Sequence, residues 1–375
     1  MSYTEEISAR EPAASRRRGV GLMPRSPWVD AGCTALSVPY GAACGAGLLV
    51  PGLLMLPLFL LKKRDPNANR SNEAGGSLSA IKTLNARAIM ARIGLGPDVL
   101  APKLMASLSL TGPGFAGWLY THSYDRSLVT GFKLTRRLWV EQVLRPFLGK
   151  VIKFVDTGYL QIRTCWLDDV VTRFIEDRQG KPGQLVILGA GYDTRCLRLA
   201  QQGSMRRFEV DAPGTQAQKR ALMAKVGLDD STVRYVPCDF STQDWLAELV
   251  KAGFDRNIPA CFVWEGVSMY LPREVVVGTL EKVKALAPGS IIGFDCVDAA
   301  WIANPAMKKM TERAGEPWHF GLKAGEEKAF IESVGLRCLD NLRYEALLRR
   351  YTPVDAQGQS IAACIDFGAF LLAGN

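Results

Sequence analysis

The sequence holds only two histidines, His122 and His319, and its nine cysteines include no Cys-x-x-Cys pair. Zinc sites draw on closely spaced Cys and His, so a metal centre is not expected. The same scarcity leaves few ordinary candidates for a general base. A disulfide framework is not evident either. Cys261, Cys296 and Cys364 lie inside apolar, strand-like runs, where a reduced thiol packs as a small hydrophobe and a reducing compartment fits. Zinc-finger and RNA-binding signatures are missing, as is any interleaving of basic and aromatic residues. The net charge of +9 is scattered through helical stretches, with clusters at SRRRG and LKKRD. Solvated helix faces account for it better than a nucleic-acid surface does.

Charge is absent altogether between Asp30 and Lys62. Within that stretch, residues 42–61 supply the ~20 apolar residues that cross a bilayer as a helix. Arg16, Arg17 and Arg18 flank it on one side, and Lys62, Lys63 and Arg64 on the other. Three readings follow: a membrane anchor with the downstream part facing the cytoplasm, a targeting segment, or a buried hydrophobic extension. Pro51 and Pro57 are tolerated in membrane helices. Residues 64–79, RDPNANRSNEAGGSLS, are polar and read as a linker.

Hydrophobic residues make up 48% of the 375-residue chain and charged residues 22%, enough for a sizeable core. Residues 1–77 form an N-terminal extension, residues 78–160 a helical cap or substrate region, and residues 161–375 a cofactor-binding core. In the cap, apolar residues recur at helical spacing, as in AIKTLNARAIMARIG. The stretch YLQIRTCWLDDVVTRFIEDR places Leu160, Trp166, Val170 and Phe174 broadly on one face, and Gly180, Pro182 and Gly183 end it. From Gln184 onward strands and helices alternate. QLVILGAG, MRRFEVDAP, VRYVPCDF, PACFVWEGVSMYL, GSIIGFDCVD and IAACIDFGAFLLAG supply the strands, and DTRCLRLAQQG and GTQAQKRALMAKVG the first two helices. This pattern predicts an α/β fold with a mostly parallel sheet covered by helices on both faces.

Ligands bind such sheets beyond the carboxyl ends of the strands. Acidic residues fall there: Asp211 closes the second strand, twenty residues after Gly191, Asp239 the third and Glu265 the fourth. The first loop reads Gly189-x-Gly191-x-x-Thr194, with threonine where a dinucleotide fingerprint wants a third glycine. Asp193 sits in that turn, where its carboxylate would repel a pyrophosphate. S-adenosylmethionine has no phosphate and carries a sulfonium and an ammonium, so this loop favours it over NAD.

VILGAGYDTRCLRL, FEVDAPGTQAQKRALM, WEGVSMYL and GEPWHFGL together resemble the leucine carboxyl methyltransferase family. The resemblance runs from about Leu78 to the C-terminus and is dense from Gln161 to Phe320. It implies a Rossmann-like class I methyltransferase sheet with helices on both faces and an N-terminal helical cap, with S-adenosyl-L-methionine as cofactor. It further implies Arg163 on the cofactor carboxylate, Gly189 and Gly191 allowing close backbone approach, and Asp211 on the ribose. Asp239 and Phe240 would stand near the adenine, and Glu265 is the acid after the fourth strand. Lys82 and Lys103 both match the family's N-terminal cofactor lysine.

The expected reaction is O-methylation of a carboxyl group, on a protein C-terminal leucine or a small-molecule acid. A carboxylate acceptor is ionised at neutral pH and needs no general base. A hydroxyl acceptor would want one. His319 and Tyr192 are the catalytic candidates, and Arg195 also flanks the loop. An NAD-type oxidoreductase and a catalytically silent binding module are the rival readings.

Overall fold

The structure is a computed structural model. It describes residues 78–108, 157–199, 205–240, 242–313, 315–352 and 366–375. The apolar segment 42–61, His122 and Cys364 lie outside the described residues. Among those described, no helix is long and apolar enough to cross a membrane; the anchor expected at 42–61 falls outside them.

One eight-stranded sheet organises the chain. Its strands are β1 (Gly183–Leu188), β2 (Met205–Asp211), β3 (Val233–Pro237), β4 (Ala260–Trp264), β5 (Ile291–Asp298), β6 (Gly321–Leu322), β7 (Arg337–Leu342) and β8 (Gly368–Gly374). The order is β3-β2-β1-β4-β5-β8-β7, with β6 paired to β5. The pairs from β3 to β5 are parallel, and β8 runs antiparallel between β5 and β7. Order reverses between β1 and β4, so the crevice above their carboxyl ends is the switch point at which such sheets bind ligands. The doubly wound sheet expected from the alternating pattern is thus present. The central strands β1, β4 and β8 are buried at every position, as strands covered on both faces must be.

The helices are α1 (Leu78–Arg92), α2 (Ala101–Ser107), α3 (Thr157–Arg178), α4 (Arg195–Arg198), α5 (Pro213–Lys225), α6 (Trp245–Lys251), α7 (Arg273–Lys284), α8 (Ala299–Ala303), α9 (Pro305–Arg313), α10 (Glu327–Ser333) and α11 (Tyr344–Tyr351). They leave one buried cluster on each face of the sheet. On one face Leu185, Ile187, Cys261 and Val263 meet Trp166, Leu167 and Val170 of α3. On the other Val186, Phe208, Phe262 and Phe294 meet Trp245, Leu249, Val276 and Leu280. Consecutive strand residues therefore divide between the two clusters, as the period of two requires.

Helix α3 runs through the boundary expected at residue 160, joining the cap region to the core. It lies close to the sheet because Gly293 on β5 has no side chain. A Cβ there would stand 3.2 Å from Leu167 Cδ2 and 3.4 Å from Val170 Cγ1. Leu160, Trp166, Val170 and Phe174 are all buried as the periodicity predicts. The opposite stripe, Gln161, Thr164 and Asp168, is buried too. Hydrophobic patterning does not reveal that second buried face, and it is where the polar chemistry gathers.

Candidate functional site

The loop after β1 turns on Gly189 and Gly191, both at positive φ (68° and 47°), a conformation that costs most residues about 1–2 kcal/mol. A Cβ on Gly189 would overlap the Val267 side chain, and one on Gly191 would stand 3.2 Å from Ala80 Cβ on α1. The two glycines therefore answer first to backbone conformation and packing. Asp211 closes the loop from the end of β2. Its Oδ2 accepts the Gly191 N–H, and its Oδ1 accepts Ala212 N–H at 2.6 Å. Burial raises its carboxyl above the usual range, opposed by those two backbone donors. Each oxygen keeps lone-pair capacity for further donors.

Thr194 is fully buried, and its hydroxyl has specific work. Oγ1 donates to Asp98 Oδ1 at 2.8 Å and accepts from Arg198 Nε at 2.8 Å. A glycine there could make neither bond.

Asp193 departs from the reading of the loop as an acid facing the cofactor. Its side chain turns inward, is buried, accepts Arg195 N–H at 2.6 Å, and pairs with the Arg195 guanidinium. Burial works against its charge, but Arg195, with Arg87 and Lys219, holds its carboxyl below the usual range. Asp193 alone is thus not what would repel a pyrophosphate. Its charge belongs to a larger assembly.

That assembly is a continuous chain of buried ion pairs beneath the loop. Arg87 on α1 stands 3.7 Å from Asp98, which lies 3.4 Å from Arg198. Arg198 pairs with Asp168 at 2.9 Å, and Asp168 with Arg195 at 2.8 Å. Arg195 reaches Glu265 at 2.6 Å, Glu265 pairs with Arg163 at 3.0 Å, and Arg163 with Asp295 at 2.8 Å. Glu265 therefore bridges two arginines. Burial opposes its ionisation, yet Arg195 and Arg163 hold its carboxyl far below the ordinary range. The same carboxylates raise Arg163 and Arg195 further above an already high value despite burial. Asp295 also accepts Gly266 N–H at 2.6 Å, so the loop after β4 is tied to β5. With Asp193 included, the chain holds one carboxylate more than it holds guanidinium groups.

Behind the loop, Lys219 on α5 pairs with Glu209 of β2 and donates to the Asp193 carbonyl at 2.5 Å. Burial pushes the Glu209 carboxyl up to about 7 against the pull of Lys219.

The structure gathers Arg163, Gly189, Gly191, Asp211 and Glu265 around the switch point. Asp239 is exposed two residues beyond β3, and Phe240 is half-buried against the second core cluster. Of the catalytic candidates, Tyr192 is buried in the first core cluster and its hydroxyl donates to Gln218 Oε1 at 3.0 Å. His319 is exposed, with its backbone N–H on the Met269 carbonyl at 2.7 Å. Lys82 and Lys103 are both exposed. Beside Ala80 and Asp98, the cap meets the loop through Arg87, whose Nη2 donates to the Tyr192 carbonyl at 3.1 Å. Sequence reasoning did not single out Arg87, Asp98, Asp168 or Asp295. The one local signal was Arg195 and Arg198, three apart on a helix that opens directly after the glycine turn.

Residues 150–284 match the family model described as leucine carboxyl methyltransferase. A "Putative S-adenosyl-L-methionine-dependent methyltransferase" of Mycobacterium avium is 34% identical over 156 residues, which are 41% of this chain and 51% of that protein. A protein of the same name from Mycolicibacterium vanbaalenii is 33% identical over 156 residues, with the same shares. The chain spans about half the length of the curated relatives it matches. A DUF574 family protein from Streptomyces avermitilis aligns over 79% of this chain and 99% of its own at 15% identity and a TM-score of 0.45, a likeness too remote to argue from.

Proposed function

We propose that the protein, whose residues 150–284 match the leucine carboxyl methyltransferase family model, is an S-adenosyl-L-methionine-dependent methyltransferase acting on a carboxyl group. The buried ion array carries this reading. Its surplus carboxylate, with Asp211 beside the glycine turn, leaves the switch point short of positive charge. A sulfonium and ammonium ligand makes up that shortfall, whereas a pyrophosphate would deepen it. The array as a whole, rather than Asp193 alone, thus disfavours a pyrophosphate.

The residues present fit such a ligand. Arg163 uses Nε and Nη1 within the array, which leaves Nη2 for a cofactor carboxylate. Gly266 keeps that end of the guanidinium open, since a Cβ there would stand 3.2 Å from Nη2. Asp211 has acceptor capacity for ribose hydroxyls, and Asp239 with Phe240 lies along the next strand end for the adenine.

The bound cofactor would offer a methyl carbon activated by positive sulfur. Held by Arg163, Asp211 and the Asp239–Phe240 pair, it would supply that methyl group to an acceptor carboxylate already ionised at neutral pH. No proton moves. This suits a site whose acids, Glu265 and Asp193, are held ionised and are therefore weak bases. The protein's contribution is positioning, and aligned reactants can gain several kcal/mol, up to about 10, over free encounter.

Calorimetric titration of the full chain should show heat with S-adenosylmethionine and none with NAD. Silence with the former overturns the proposal. Incubation with methyl-labelled cofactor and cell extract should yield a base-labile label, as a carboxyl ester requires. A base-stable label would exclude a carboxyl acceptor.

A further inference from the structure

Beyond the ion array, aromatic side chains meet at the carboxyl end of β5. Phe367, just before β8, is pinned there because its carbonyl accepts Asp298 N–H at 2.9 Å. Three rings surround it: Tyr159 at 5.2 Å between centroids, Trp318 at 5.3 Å edge-on, and Trp301 at 5.5 Å. Tyr159 is buried, while Phe367, Trp318 and Trp301 are half-buried. The large apolar side chains exposed elsewhere among the described residues are Val99, Val250 and Met310, none of them aromatic. Trp301, Trp318 and Phe367 gather three half-buried rings in one place, whereas Tyr235, Phe240 and Tyr344 are half-buried elsewhere.

The group touches the donor site twice. The Arg163 guanidinium lies 5.9 Å from the Tyr159 ring centroid. The Trp318 indole faces the hydroxyl of Tyr270, on the turn that follows Glu265. Trp301 Nε1 donates to the Asp366 carbonyl at 2.9 Å. What Trp301 and Phe367 can still offer a ligand is π surface and C–H edges. The cluster therefore runs from the donor site at its inner end to uncharged rings at its outer end.

Resting on the reading of the neighbouring site as a methyl-donor site, we propose that this cluster is the acceptor subsite and that the acceptor is an aromatic carboxylic acid. Its ring packs against Phe367, Trp301 and Trp318, and its carboxylate points inward past Tyr159. Aromatic walls favour an aromatic guest because ring quadrupoles reward edge-to-face and offset stacking beyond the area buried. The positive sulfonium of the bound donor would set the orientation, with the anionic end toward it.

The test measures binding of 2-naphthoate and of decanoate to the full chain saturated with S-adenosylhomocysteine. Binding of 2-naphthoate should be several-fold tighter than that of decanoate. Trp301→Ala and Phe367→Leu should each weaken it roughly 2- to 10-fold, the range expected for one stacked pair, with S-adenosylhomocysteine affinity unchanged. Phe367→Leu keeps the bulk and removes the ring, so it reads the proposal even where Trp301→Ala impairs folding. Equal binding of the two acids, no binding of 2-naphthoate, or insensitivity to both substitutions overturns the subsite. Failure of S-adenosylhomocysteine to bind overturns the donor reading instead, and 2-naphthoate titrated alone still tests the rings.

Discussion

Replacing Arg195 with methionine removes the hub of the buried array while keeping an unbranched side chain of moderate length. Arg195 is fully buried and joins Asp193, Asp168 and Glu265. Its loss leaves three carboxylates under-compensated in a space that admits little water. Breaking a buried pair from one side typically costs about 3–5 kcal/mol, and that range is the expectation for Arg195→Met at pH 7. With a urea slope of roughly 2–3 kcal/mol per molar, the unfolding midpoint should fall by about 1–2 M. The pH dependence should change too. In the native chain Glu265 and Asp193 are held below their unfolded values. They therefore contribute stability that is present above about pH 4 and is lost as pH falls further. Without Arg195 that contribution shrinks, so the variant should lie closer to wild type at acid pH than at pH 7. Adding Asp193→Asn to Arg195→Met should recover part of the loss, since one stranded charge goes with it. Urea denaturation of the three chains at pH 7 and at about pH 2.5, below the unfolded carboxylate range, is the assay. An Arg195→Met midpoint within about 0.3 M of wild type at pH 7, less than ~1 kcal/mol by the same slope, refutes the claim that the array is held together through this residue.

Gly189→Ala should destabilise the chain by about 2–4 kcal/mol, from the left-handed backbone together with overlap on Val267; thermal unfolding reads this, and an unchanged midpoint contradicts the packing account of that glycine. Glu209 behaves opposite to Glu265: its folded value of about 7 lies above the unfolded one. Its contribution is complete below about pH 4 and is lost as pH rises toward 7. The double variant Glu209→Gln with Lys219→Met should therefore lose less stability between pH 5 and 8 than wild type does, as seen in melting temperature against pH; parallel curves refute it.

The strands at the centre of the sheet were legible because burial on both faces writes them as apolar runs, from Gly183–Leu188 to Ile291–Asp298. The edge strand Arg337–Leu342 was not, since RCLDNL has exposed and polar positions and no clear alternation. The helix read from DTRCLRLAQQG is seen only at Arg195–Arg198 among the described residues. Gly189, Gly191, Asp211 and Glu265 could be found from their spacing, because strand ends place such residues together whatever surrounds them. Their partners could not. Arg87 and Asp98 look like solvated charges in a cap, and Asp168 like the polar side of an amphipathic helix. Burial and pairing across more than sixty positions of chain, as in Arg87 with Tyr192, leave no local pattern to read.

By itself, then, the sequence determined the sheet and the residues at the strand ends, since strand period and glycine turns are local properties. Only the tertiary structure decided what the charges do. It turned Asp193 away from the ligand and onto Arg195, fastened Glu265 between two arginines, and brought Trp301 and Trp318 against Phe367. The sign and strength of a buried charge depend on its neighbours in space, and those neighbours come from separate helices and loops that meet only when the chain is folded.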